Sequence, residues 1–219
     1  MIGPSRSIGL AAAALALAAG PALAGVPADA VNGDMSLGNP KARVHVVEYA
    51  SASCPHCAHF DEDVFPALKK KYIDTGRVQY TLKEFLTPPA EAAAAGFLVA
   101  RCGGRAKYFP ILDQVFRSQA QWRDDGEIGR IITEVGVKNG LTEAQVNSCL
   151  TDPVALKALN DRVDAASNSG IHSTPTLIVN GREVAEPTLA GLDAAIAAAS
   201  KAAPALAGRH PAPKKSKRR

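Results

Sequence analysis

The sequence predicts an α/β fold whose sheet is interrupted by a long all-helical stretch. Two β-rich apolar runs, Arg43 to Tyr49 and Val78 to Phe85, flank a Cys-x-x-Cys placed at a helix start. Helical stripes then fill residues 88–170. After them the β pattern returns as Thr176-Leu177-Ile178-Val179, an Asn180-Gly181 turn and Arg182 to Ala185, which together read as a hairpin.

Residues 1–24 read as a signal peptide. Arg6 supplies the positive start, Ile8 to Ala19 the apolar stretch, and Ala22-Leu23-Ala24 the cleavage pattern before Gly25. An uncleaved anchor is the alternative, but Gly20-Pro21 interrupts the apolar run short of a comfortable span. Export would place the cysteines in an oxidising compartment, where a Cys-x-x-Cys can live as a disulfide. About 195 residues then remain, enough for one well-cored domain. The formal net charge of +4 owes six basic residues to the last eleven positions, and the body without them is slightly acidic. That body carries no nucleic-acid footprint.

The run Arg43 to Tyr49 is nearly continuous in apolar character, as expected of a central strand covered on both faces. Glu48 stands out within it. It is either a strand-end carboxylate with its head in water or a buried acid with a raised pKa beneath the cysteines, able to exchange a proton with the inner sulfur.

Pro55 suits the first helical position, which makes Cys54 the N-cap and Cys57 the third helical residue. Those positions face each other across the first turn, as in a capping box, so two sulfurs there can bond. Cys54 also meets unpaired backbone N–H groups and the positive end of the helix dipole. The dipole contributes about 0.3–1 kcal/mol, at most ~2, so it lowers a thiol pKa by roughly one unit. A larger depression needs amide hydrogen bonds and a nearby donor, for which His56 is the candidate. Stabilising the thiolate stabilises the reduced pair, and this makes its disulfide a strong oxidant. A zinc site formed with His56 and His59 would crowd four ligands into six residues, so no metal is expected. Covalent haem is excluded because Ala58, not histidine, follows Cys57.

The helix from Pro55 is expected to kink or split at Pro66 and to end near Lys69-Lys70-Lys71 and Gly76. In the second strand, Val78, Tyr80 and Leu82 share one face, and Lys83 either pairs with Glu48 or snorkels outward. The helical stretch contains an alanine-rich helix from Glu91 to Arg101, stripes at Tyr108, Leu112 and Val115 and at Ile128, Ile131, Ile132 and Val135, a capping box at Thr142, and a helix opened by Pro153 with Leu156, Leu159 and Val163 inward. No glycine-rich phosphate loop precedes any of them, and no cofactor is expected. Cys102 and Cys149 fall near helix ends and are expected to form a structural disulfide, with two buried thiols as the alternative.

Ser173-Thr174-Pro175 precedes the hairpin, and a cis bond before Pro175 is the specific expectation there. His172 either approaches the sulfurs or is a polar loop residue. Thr188 caps a last helix carrying Leu189, Leu192 and Ile196. Residues 200–219 form a basic, Ala- and Pro-rich tail, expected to be disordered, that either solubilises the chain or rests on anionic lipid.

This order of elements resembles the thioredoxin fold with an inserted all-helical subdomain, as in the DsbA-like thiol:disulfide oxidoreductases. The resemblance spans 35–199, with 88–170 as the insertion, and rests on Cys54-Pro55-His56-Cys57, on Glu48 six residues earlier and on Thr174-Pro175. It implies a periplasmic, monomeric enzyme acting on exported proteins with free cysteines and reoxidised by a DsbB-like membrane protein. Cys54 would be the nucleophile, Cys57 the buried partner, His56 the stabiliser of the Cys54 thiolate and Pro175 the cis residue beside the sulfurs. The backbone at Thr174 would pair with an extended substrate segment. Threonine before the cis-proline is frequent in isomerases, so an isomerase or reductase is the first alternative and an exported metal-binding thiol protein the second.

Overall fold

The computed structural model describes residues 25–202; residues 1–24, read from sequence as a signal peptide, and residues 203–219, read as a tail, lie outside the described residues. A short helix α1 (Ala28–Val31) and a strand β1 (Met35–Gly38) lead into β2 (Val44–Ala50). Helix α2 (Pro55–Asp63) follows, then α3 (Phe65–Leu68) and a π-helical turn (Lys69–Ile73), before β3 (Val78–Glu84). Strands β2 and β3 are parallel. A parallel pair needs a crossover, and the helices between them supply it. The break falls at Val64, so that Pro66, which lacks an N–H, sits in the first turn of a new helix.

Six helices separate β3 from the next strand: α4 (Ala90–Cys102), α5 (Tyr108–Arg117), α6 (Gln119–Asp125), α7 (Ile128–Lys138), α8 (Glu143–Leu150) and α9 (Pro153–Asn168). The hairpin of β4 (Thr176–Val179) and β5 (Arg182–Glu183) turns through Asn180 and Gly181, both at positive φ, and α10 (Leu189–Lys201) closes the described chain. Residues 200 and 201, read as the start of the tail, are instead the last turn of α10, where the Ser200 hydroxyl donates to the Ile196 carbonyl.

Sheet order is β1-β3-β2-β4-β5, which makes β2 central. On one face Val44, Val46 and Ala50 join Val78, Tyr80, Leu82, Leu177 and Val179 in the main core, together with Phe60, Leu68, Ile73, Leu192 and Ile196. On the other face Tyr49 packs with Ala166 of α9 and Ile171, flanked by Val47, Phe85 and Ile178. Strand β2 is therefore not covered throughout, as its sequence suggests: His45 is exposed and Val47 half-buried, because this second layer reaches only the Tyr49 end. The inward set on α9 is Ala155, Leu159 and Ala166, while Leu156 and Val163 lie half-buried against the core.

Strand pleating also decides the fate of Lys83. It stands opposite Tyr49 in the register, on the face away from Glu48, and its Nζ pairs with Asp34 at 2.9 Å. Of the two alternatives for Lys83, the outward one holds and the pair with Glu48 does not form.

A buried charge network locks the insertion to the sheet. Glu84 accepts from Arg101 Nε at 2.6 Å, Arg162 Nε at 2.7 Å and Tyr108 OH at 2.9 Å. Arg101 also donates to the Ala30 and Gly33 carbonyls, and Arg162 to that of Val31. A charge this deep is tolerated only when its partners are satisfied.

Cys102 and Cys149 are joined by a disulfide 47 residues apart, linking α4 to α8. On the chain-entropy account, closing such a loop stabilises by about 4 kcal/mol. Cys102→Ser is therefore expected to lower the melting temperature on the order of 10 °C while thiol exchange persists. Unchanged melting would show that the bond carries no stability.

Candidate active site

Strand β2 ends at Ala50, and a fully packed loop from Ser51 to Cys54 delivers the chain into α2. Cys54 is the N-cap, with extended backbone (φ −78°, ψ 121°), and Pro55 occupies the first turn. Both cysteines are free thiols and buried, Cys54 at 6 % exposure and Cys57 at 0 %. The loop is stitched to the segment after β3. Ser53 Oγ donates to the Thr87 carbonyl at 2.8 Å, and the Thr87 N–H and hydroxyl donate to Ser51 Oγ at 3.1 and 2.9 Å. Two cis peptide bonds flank the site, Pro88-Pro89 and Thr174-Pro175. The second brings the Thr174 carbonyl within 3.4 Å of Cys54 Sγ, which donates to it.

The two sulfurs are electrostatically unlike. Cys54 is held down to about 5, first by a hydrogen bond from the Cys57 thiol, then by Thr174 and the backbone N–H groups of Cys57 and His56, against the opposing effect of burial. The Thr174 hydroxyl is buried with no other hydrogen-bond partner and favours the Cys54 thiolate. Cys57 is driven far above the ordinary thiol range by burial, by donating to Cys54 and by the nearby Glu48 and Cys54 charges; the Ser51 N–H at 3.5 Å opposes this only weakly.

Glu48 stands on the core face of β2, 2 % exposed, and accepts a hydrogen bond from Tyr80 OH at 2.5 Å. Burial pushes its carboxyl up to about 7, Tyr80 holds it back, and the Cys54 charge adds to the rise. One low and one high thiol, with a buried acid poised near neutrality that is electrostatically coupled to both, form a site that can separate attack from proton transfer.

The sequence profile described as thioredoxin matches residues 30–198. The chain belongs to the thioredoxin family. Among family relatives, a Rickettsia typhi protein that carries the name protein-disulfide oxidoreductase is 36 % identical over 153 residues, covering 68 % of this chain and 56 % of its own length. The chain thus spans little more than half of that relative. A Bacillus anthracis protein bearing the name disulfide bond formation protein D is 28 % identical over 167 residues, 74 % of this chain and 76 % of its own. The fold superposes on alpha-DsbA1 of Wolbachia pipientis with a TM-score of 0.66 at 27 % identity, covering 76 % of this chain and 90 % of that one. Oxidised BdbD of Bacillus subtilis, at 19 % identity and a TM-score of 0.69, shares the architecture. The family is therefore the DsbA-like branch of the thioredoxins, a sheet with an inserted helical subdomain.

Within this thioredoxin-family site, the residues singled out from sequence do not all play the part their chemistry suggests. His56 reaches the sulfur through its backbone N–H, while the residue itself is exposed. His59 is turned to the surface, where Nδ1 meets Asp63 at 2.9 Å, and His172 is exposed in the loop before Thr174. Among the described residues no three His, Cys, Asp or Glu side chains gather closely enough to hold a metal ion.

Asp61 and Gln119 escaped the sequence reading. Asp61 lies one helical turn after Cys57, with Oδ2 buried and unpartnered; burial and the facing Asp113 carboxyl push it up to about 8. Its spacing of four from Cys57 is the signal that finds it. Gln119 opens α6, a polar helix whose sequence announces no inward face.

Proposed function

We propose that this protein is an exported thiol:disulfide oxidoreductase that introduces disulfides into other exported proteins through the Cys54–Cys57 pair. The observation that carries the reading is the asymmetry of the sulfurs. A Cys54 midpoint near 5 keeps the outer sulfur ionised at neutral pH, so the reduced pair is stabilised and the disulfide is easily given up.

In the donating direction a substrate thiolate attacks Cys54 Sγ of the Cys54–Cys57 disulfide. The intramolecular S–S bond breaks, Cys57 leaves with the electron pair, and Glu48 supplies the proton that the buried thiolate demands. A second substrate thiolate then attacks the substrate sulfur of the mixed disulfide and releases Cys54 as a thiolate. Two electrons have passed from the substrate dithiol to the pair, and the substrate holds the new bond. The Thr174 backbone, next to Cys54 Sγ, offers an extended substrate segment a strand to pair with. A DsbB-like membrane protein would reoxidise the pair, with the chain acting as a monomer in the periplasm and residues 1–24 directing it there; 35–199 would be the folded unit and 88–170 its insertion.

The Thr174 hydroxyl beside the sulfur favours a second reading, reshuffling of wrong bonds by the same site. Mixing purified oxidised protein with a reduced dithiol peptide separates the two. A donor oxidises the peptide faster than glutathione disulfide does and has a potential well above that of cytosolic reductants. Slow oxidation combined with rescue of a scrambled substrate would favour the isomerase.

A further inference from the structure

The loop that presents the sulfurs is gripped by the helical insertion. Ser51, Ala52, Ser53 and Cys54 are all buried. Gly96 of α4 packs so tightly here that a Cβ on it would lie 2.8 Å from Ala52 Cβ and 2.8 Å from Val115 Cγ1 of α5. Gln119, at 1 % exposure, commits both hydrogens of its side-chain amide to the loop: Nε2 donates to the Ala52 carbonyl at 2.9 Å and to the Cys54 carbonyl at 3.1 Å. Its Oε1 is left buried with no partner. The amide supplies the buried Ala52 carbonyl with its donor, but the Cys54 carbonyl already accepts from two α2 N–H groups, so satisfying buried carbonyls does not by itself call for the second bond.

The Cys54 carbonyl is a strategic group. It accepts from the N–H of Cys57 at 3.1 Å and of Ala58 at 3.2 Å, so it opens the hydrogen-bond ladder of α2, and its direction is fixed by the ψ of Cys54. Whatever holds that carbonyl also holds Sγ over the N–H groups of His56 and Cys57.

We propose that Gln119 is a positioning residue of the exchange reaction: by clamping the Ala52 and Cys54 carbonyls it keeps the Cys54 sulfur on the α2 amides and so makes the couple more oxidising. The inference rests on the exchange reading above and assigns the insertion a share in setting the potential. Gln119 touches neither sulfur; it acts through the backbone. The groups that face the sulfur, Cys57, Glu48 and the Thr174 hydroxyl, are left in place by substitution at this position.

The test compares full-length wild type with Gln119→Met, which keeps the volume and loses both donors, and with Gln119→Leu, which loses both donors without adding a charge. Three quantities are read for each: the thiolate absorbance midpoint of Cys54, the equilibrium constant with glutathione, and the melting temperature. Both variants are expected to raise the midpoint by about one pH unit and to shift the glutathione equilibrium about tenfold toward the protein disulfide, or ~30 mV for a two-electron couple. Melting that falls while midpoint and equilibrium constant stay at wild-type values would overturn the proposal, since a merely structural glutamine moves only the first. If one variant does not fold, the other decides. A wild-type protein that fails to oxidise the reduced peptide would remove the exchange reading instead, and the midpoint comparison would still show whether Gln119 governs the Cys54 sulfur.

Discussion

Cys54→Ser is expected to abolish disulfide exchange, and Cys57→Ser to accumulate a covalent mixed disulfide with substrate. The asymmetry follows from the geometry of α2. Cys54 is the N-cap, its sulfur lying beside the Thr174 carbonyl at the edge of the site, whereas Cys57 is one turn in and wholly enclosed. An incoming thiolate can reach only the outer sulfur. Replacing that sulfur with a hydroxyl removes the attacking and attacked atom together, so turnover should fall to the uncatalysed level. With serine at position 57 the Cys54 thiolate attacks a substrate disulfide, one substrate sulfur leaves as the thiolate and the Cys54–substrate bond forms; no Cys57 sulfur is left to resolve it from the enzyme side, and the adduct survives in non-reducing gels. Turnover retained in Cys54→Ser, or an adduct found there and not in Cys57→Ser, would reverse the assignment of roles.

Much of this was written in local sequence. A proline directly after the first cysteine sets the helix start, and the β-branched run before it sets the strand. Asn180-Gly181 dictates the hairpin, and Thr142 with Gln145 forms a reciprocal cap in which both bonds are made. These are features decided within a few residues. What escaped is decided across the chain. Met35–Gly38 is too short to announce a strand, and exists as one because β3 offers it an edge. Glu84, Arg101 and Arg162 look like surface charges until the sheet and insertion close over them. The partner of Glu48 is set by the pleat, which places Tyr80 on its face and sends Lys83 to the other. Gln119 belongs to the same class: nothing near it in sequence indicates that two carbonyls some sixty-five residues earlier need its amide.

The melting temperature of the reduced protein, measured relative to the oxidised one, should rise as pH increases from about 5 toward 9. In the folded dithiol Cys54 titrates near 5, against 9.0 for an ordinary thiol in the unfolded chain. A depressed folded pKa stabilises the native state fully above the unfolded value; the contribution fades as pH falls and is gone below the folded one. In the oxidised protein neither sulfur titrates, so this term is absent. Glu48 and Asp61, both raised, have the opposite sign: between their ordinary range and about 7 and 8 they cost stability as pH rises. Their shifts come first from burial, which both redox forms share, so they largely cancel when one form is subtracted from the other. Cys57, shifted upward, enters only above the ordinary thiol range. The short loop closed by the Cys54–Cys57 bond adds an offset independent of pH. What remains is the Cys54 contribution, discounted for the solvent that reaches its sulfur, and it should move the difference in melting temperature on the order of 5 °C between pH 5 and 8. Calorimetry on both redox forms across that range gives the slope. A difference that stays flat with pH would mean that the α2 amides, Thr174 and the Cys57 thiol do not stabilise the thiolate, and the driving force for passing on the disulfide would be lost with it.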